Sequence, residues 1–323
     1  MNSIHRKRHV FGSLVMNEMV KFYSTKMMFL VVVMIFVGVL FLALGIDSAS
    51  EEVVGQSSDV LKAEIQELSE VLSGGEYGFS NGGEQTYVNA LKIKQYMLDN
   101  NLELIRTHSI GNLVLSLNQM FAIIVIIMIL GAGKIWSDEF SNGTLSALVS
   151  KPVGRMKIFG AKFVTLLSFC ILIETLLGIL TIVVGGVFWG FDGLKASIVT
   201  YHNGIVEKSV IEQILYFNFY NFFTLLACAV MTIMITLFIR NGIIATCVSE
   251  IIYMMGSAFV LSLSQYNIVK YTLLANIQFQ IYMDGNEIFK GMTLKSSVIN
   301  VLVHVIVMLI ISLLVFKKKN ADE

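Results

Sequence analysis

Apolar residues in this chain come in long runs separated by polar stretches, and the lengths of those runs set the architecture. Six of them, at 27–46, 111–133, 157–187, 213–239, 243–264 and 297–316, hold few charges. Each is long enough to cross a ~30 Å hydrocarbon core as an α-helix, the form that satisfies its own backbone groups in lipid. The pattern predicts an all-α polytopic membrane protein with six transmembrane helices.

The polar stretches have patterns of their own. In 1–26, Val10, Phe11, Leu14, Val15, Met19 and Phe22 recur at helical spacing while Glu18, Lys21 and Lys26 interrupt them. This predicts an amphipathic helix in the headgroup layer, the alternative being a cytosolic extension of the first span. In 47–110, Leu61, Ile65, Leu68 and Leu72, then Tyr87, Leu91, Leu98, Leu102 and Ile105, flank a Gly- and Asn-rich stretch, which predicts an antiparallel helical hairpin. The segment 134–156 is polar and basic and holds the chain's single proline, Pro152. A loop is expected at 188–212, opened by Trp189 at the interface, and a tight turn at 240–242, with Gly242 accepting the left-handed conformation. The stretch 265–296 reads as a loop with a possible re-entrant helix, and 317–323 as a tail.

Composition agrees: 55% of residues are hydrophobic and 14% charged, where soluble domains carry roughly 25% charged residues. The basic cluster Arg6, Lys7, Arg8 precedes the first run much as in a signal peptide, but that run is long, lies far from the start and has no small-residue cleavage site, so a retained span is expected. Lys and Arg number 14 in the two ends, 134–162 and the turn at Arg240, against 9 in the other loops. By the positive-inside rule both termini and 134–156 face the cytoplasm and the hairpin is extracellular. The hairpin's eleven acidic residues against four basic ones agree. A net charge of zero with no long basic tract excludes a nucleic-acid partner. Cys170, Cys228 and Cys247 lie in apolar runs and read as packing residues.

Catalytic signatures are missing. Gly131-Ala132-Gly133-Lys134 lacks the upstream glycine of a phosphate loop, and Ile135 stands where a hydroxyl would hold magnesium. Neither H-E-x-x-H nor G-x-S-x-G occurs, and no metal site is expected. The chain reads as a non-enzyme with no cofactor of its own; uphill work would draw on a partner or on ions.

Within 134–156, Trp136 reads as an interface anchor, and Asp138 and Glu139 as the acidic start of a short helix. Leu145, Leu148 and Val149 give that helix an apolar face, Pro152 ends it, and Arg155, Lys157 and Lys162 begin the next near the membrane surface. Such a helix suits a groove on another protein, and equally an interfacial loop packed on its own bundle.

The order Glu139, Gly143-Thr144-Leu145, Leu148, Ser150, Pro152-Val153, Arg155, Ile158, Gly160, Lys162 resembles the signature of type-2 ATP-binding-cassette permeases, the membrane subunits of bacterial exporters. It covers about 25 residues and departs at Lys151 and Gly154. The resemblance implies a dimer of permeases, identical or homologous, in the bacterial plasma membrane, seated on cytoplasmic ATPase subunits that bind ATP and Mg. Asp138, Glu139, Gly143, Thr144, Leu145, Leu148, Pro152 and Arg155 would then form the ATPase-coupling segment, and the cargo would be a peptide, drug, lipid or ion.

Glu174, Glu250 and His304 fall inside spans, where each costs on the order of 3 kcal/mol at mid-bilayer. They form a candidate polar path or, alternatively, interhelical hydrogen bonds. A path would suit an ion-coupled secondary transporter; a third reading is a membrane sensor or assembly factor without transport. Phe and Met, 22 and 17 residues, read as lipid-facing surface before drug cavity.

Overall fold

Six helices in the computed structural model are long and apolar enough to cross a membrane, and they coincide with the six apolar runs. The structure describes residues 2–24, 26–48, 57–74, 83–102, 108–141, 154–195, 197–201, 204–283, 289 and 291–319. In chain order the long helices are α1 (Asn2–Tyr23), α2 (Lys26–Asp47), α3 (Ser57–Gly74), α4 (Gly83–Asp99), α5 (Ile110–Ser141), α6 (Arg155–Trp189), α7 (Val210–Ile239), α8 (Gly242–Ser262) and, last, α11 (Leu294–Lys319). Two short helices, α9 (Leu273–Asn276) and α10 (Phe279–Met283), lie between α8 and α11. The shortest spanning helix, α8, has 21 residues and a length of about 32 Å, and α6, with 35 residues, reaches about 52 Å. The second figure exceeds the hydrocarbon thickness by about 20 Å, as expected from its charged first turns.

Helix α7 is the hub. It packs against α5, α6, α8 and α11, and its Leu225, Ala227, Ala229 and Val230 are fully buried. Its start is fixed by a capping box: Ser209 Oγ accepts from the Glu212 amide while Glu212 returns a bond to the Ser209 amide. Its end corrects the expected turn. Arg240, not Gly242, takes the left-handed conformation (φ 58°), Asn241 caps α8 by accepting from the Ile244 amide, and Gly242 is already helical. Gly242 is required for a different reason, since a Cβ there would lie 2.2 Å from Ser137 Cβ on α5.

The predicted hairpin is present as α3 packed on α4, joined by Lys94 Nζ to Glu64 Oε2 at 2.7 Å; Ile105 lies outside the described residues. The 188–212 loop is more structured than expected. A 3-10 turn (Asp192–Lys195) leads into antiparallel strands β1 (Ser197–Tyr201) and β2 (Ile205–Ser209), registered from Ser197↔Ser209 to Tyr201↔Ile205. Ile198 and Thr200, alternate β-branched positions of β1, are buried, which is what a half-covered strand needs. Tyr96 on α4 donates to Glu207 on β2 at 2.8 Å, tying the helical hairpin to the strands. Trp189 Nε1 donates to Asp47 Oδ1 at 3.2 Å and its ring stacks on His108.

Between α8 and α11 the chain dips back toward the bundle's middle. Thr224 donates to the Ile277 carbonyl at 2.6 Å, roughly 21 Å along α7 from its first residue. Gln280 donates to Asn221, and Phe279 is fully buried beside Tyr220 and Phe223. The single helix expected there is a 3-10 turn (Asn267–Tyr271) followed by α9 and α10.

Candidate functional site

Three helices, α1, α5 and α6, meet at one end of the bundle around a buried lysine. Lys162, 1% exposed, donates from Nζ to Glu18 Oε2 at 2.8 Å, Glu139 Oε1 at 3.1 Å and the Ile135 carbonyl at 3.1 Å. All three ammonium protons are used. Glu139 Oε1 also accepts from Lys21 Nζ at 2.6 Å. Two carboxylates and two ammoniums thus meet in one ion-paired set, the condition under which burying charge is tolerable. Burial by itself would lower the Lys21 pKa, but the hydrogen bond and charge of Glu139, with Glu18 and Asp138 adding to it, raise it above the ordinary lysine value.

Aromatic rings close the network. The Trp136 ring lies 5.6 Å from Lys162 Nζ and packs on Phe159 and on Phe316 of α11. Phe22 packs edge-on against Phe169, and Tyr23 hydrogen-bonds Ser168 at 2.7 Å, so the last turn of α1 is fixed to α6 by apolar and polar contacts. Arg155 Nη1 donates to the Lys317 carbonyl at 2.8 Å, bringing the end of α11 to the start of α6.

Several expected sites change meaning here. α5 continues through Ser141, so Asp138 and Glu139 end a long helix instead of starting a short one. Acidic groups at a helix C-terminus oppose its dipole, and here they are compensated by Lys134, 3.5 Å from Asp138, and by Lys21 and Lys162. Glu139 is 1% exposed and points into the network. Trp136 is equally covered and packs in the bundle instead of anchoring at an interface. Gly143, Thr144, Leu145, Leu148 and Pro152 lie outside the described residues. The network therefore fixes the two helix ends from which 142–153 emerges.

Among the described residues no hydrogen bond links the three intramembrane candidates to one another. Glu174 on α6 is buried and Glu250 on α8 half-buried, and neither carboxyl has a hydrogen-bond partner among the described residues. His304 on α11 is satisfied locally, its Nδ1 lying 2.9 Å from the Asn300 carbonyl. No cluster of His, Cys, Asp or Glu suited to a metal occurs among the described residues, and the three cysteines are free.

Sequence reasoning missed Glu18 and Lys21 as functional residues. The signal was there: both break the apolar stripe of α1, one turn apart and with opposite charge, complementary to Lys162 and Glu139.

Fold and site together define a multi-pass helical membrane protein in which α1 is ion-paired to the junction of the helices α5 and α6. The chain belongs to the family described as "Protein of unknown function (DUF2705)", whose model matches residues 80–321. It is 24% identical over 321 residues, 95% of this chain and 98% of the relative, to "Uncharacterized protein YhcI" of Bacillus subtilis (strain 168). No solved structure matches the chain.

Proposed function

We propose that this chain is the membrane-spanning permease subunit of an ATP-driven exporter in a bacterial plasma membrane. It works as a dimer with an identical or homologous permease and carries no nucleotide site of its own. Both termini and 134–156 face the cytoplasm, the α3–α4 hairpin is extracellular, and a separate cytoplasmic ATPase binds ATP and Mg. The observation that supports this best is the Glu18–Lys162–Glu139–Lys21 network. A partner pushing on 142–153 would move the ends of α5 and α6 and, through the ion pairs, α1 as one body. Such a unit suits a two-state switch, because its contacts are made or broken together.

The network also decides how the reading is tested. Reversing Glu139 would put a third cation beside Lys21 and Lys162 and damage the fold, so loss of transport in that variant would say nothing about docking. A helix-breaking Leu145→Pro leaves the network intact. The tagged chain solubilised from its native membrane should retain a nucleotide-binding subunit and ATP hydrolysis. Leu145→Pro should lose both with an unchanged melting temperature. A well-folded wild-type chain that retains no ATPase rejects the reading.

The unpartnered carboxyls of Glu174 and Glu250 favour a second reading, an ion-coupled transporter. Proton- or sodium-driven uptake by vesicles lacking ATP would support it.

A further inference from the structure

The outer halves of α6 and α7 spread apart to leave a lateral groove of about 1020 Å³, roofed at one end by β2. Its walls are mostly apolar: Ile171 and Ile179 lie on one face of α6, with Thr175 between them bonded back to the Ile171 carbonyl, opposite Leu215, Phe219 and Phe222 of α7. The helices touch behind it at Gly178, where a Cβ would lie 3.1 Å from Asn218 Nδ2, and Asn218 donates to the Glu174 carbonyl at 3.0 Å. This volume suits a drug-sized molecule.

What distinguishes the groove from a slot for a lipid tail is its floor. Both Glu174 carboxyl oxygens and Asn218 Oδ1 are buried there without a hydrogen-bond partner among the described residues. A hydrocarbon chain would leave each of these polar atoms unsatisfied, at a cost per group that native interiors avoid. The rim matches in sign. Glu207 and Glu212 outnumber Lys208, and Lys208 Nζ itself lies 3.2 Å from the Tyr216 ring centroid, showing that this aromatic wall accepts an ammonium. Tyr220 and Phe219 extend that wall toward the floor.

We propose that the α6–α7 groove binds an amphipathic amine: its apolar body lies along Ile179 and Phe219, and its protonated nitrogen donates to Glu174 and Asn218. Both carboxyl oxygens are covered, so binding requires Glu174 to turn them toward the groove. As the identity of the cargo, this rests on the permease reading; as a binding site, it needs no ATPase.

The test is equilibrium binding of radiolabelled dodecylamine and dodecyl sulfate to the full chain in nanodiscs of zwitterionic lipid, with empty discs subtracted. Dodecylamine should saturate at one site per chain and dodecyl sulfate should not. Glu174→Gln should weaken the amine about tenfold or more, the size of a charge-assisted hydrogen bond. Ile179→Trp, which fills the groove without touching an acceptor, should weaken it comparably. Equal saturation by both amphiphiles, or wild-type amine binding in either variant, overturns the proposal. Because no ATPase is present, that failure is separate from a missing ATPase partner.

Discussion

Lys162→Met should destabilise the fold by roughly 3–5 kcal/mol, the cost of removing one member of a buried ion network and leaving its partners charged. The loss is not shared evenly. Glu139 keeps Lys21 at 2.6 Å, whereas Lys162 is the cation on which Glu18 depends in the described structure. Glu18→Gln in the Lys162→Met background should therefore recover part of the loss, and a double-mutant cycle on melting temperature in detergent measures that coupling. Lys21→Met should matter far less, about 1 kcal/mol or below, because its side chain is 45% exposed and solvent screens it. Since the folded Lys21 pKa is raised, its contribution is complete below the unfolded value and fades only as pH rises through the folded one. Docking of α1 should thus hold through neutral pH. A Lys162→Met variant that melts with the wild type would reduce the network to a passive arrangement of side chains.

This network also marks where the sequence stopped being legible. Six spanning helices and the α3–α4 hairpin follow from run length and helical spacing, which are local properties. The pairing of Glu18 with Lys162 joins residues 144 positions apart, and no periodicity encodes it. Asp138 and Glu139 illustrate the same limit: acidic residues beside a polar stretch suit a helix start, and only the lysines packed against them let α5 run on to Ser141. β1 and β2 were hidden because two five-residue strands between membrane-length helices carry a weak signal, and Ile198 alternates with Thr200 only in retrospect. Glu174, by contrast, was visible as a buried charge from hydropathy alone, but its lack of a partner required the packing of α6 on α7.

Gly131→Val should destabilise the bundle by about 3 kcal/mol, for a reason that the motif reading of Gly131-Ala132-Gly133-Lys134 hid. These glycines face nearly opposite sides of α5. A Cβ at Gly131 would lie 2.2 Å from Phe169 Cε1 on α6, and one at Gly133 would lie 2.3 Å from Thr246 Cγ2 on α8. The segment is a place where two helices close on a third, in the manner of small-residue contacts in membranes. Phe169 cannot swing clear, since it is fully buried and its ring meets Phe22 of α1 edge-on at 5.0 Å. Overpacking of this kind costs roughly 1–3 kcal/mol, occasionally more, and outweighs the few tenths that Val gains over Gly in helix propensity. Gly45→Val in α2 supplies the contrast, because nothing lies within 4 Å of a Cβ there. Melting curves of the two variants in the same detergent should move by very different amounts, with Gly45→Val near the wild type. Because the displaced ring is the one that seats Phe22, Gly131→Val should also expose Lys21 and Tyr23 to labelling reagents ahead of global unfolding. If both variants melt alike, the α5–α6 contact is soft, and α1 could not transmit a displacement from 142–153 through it.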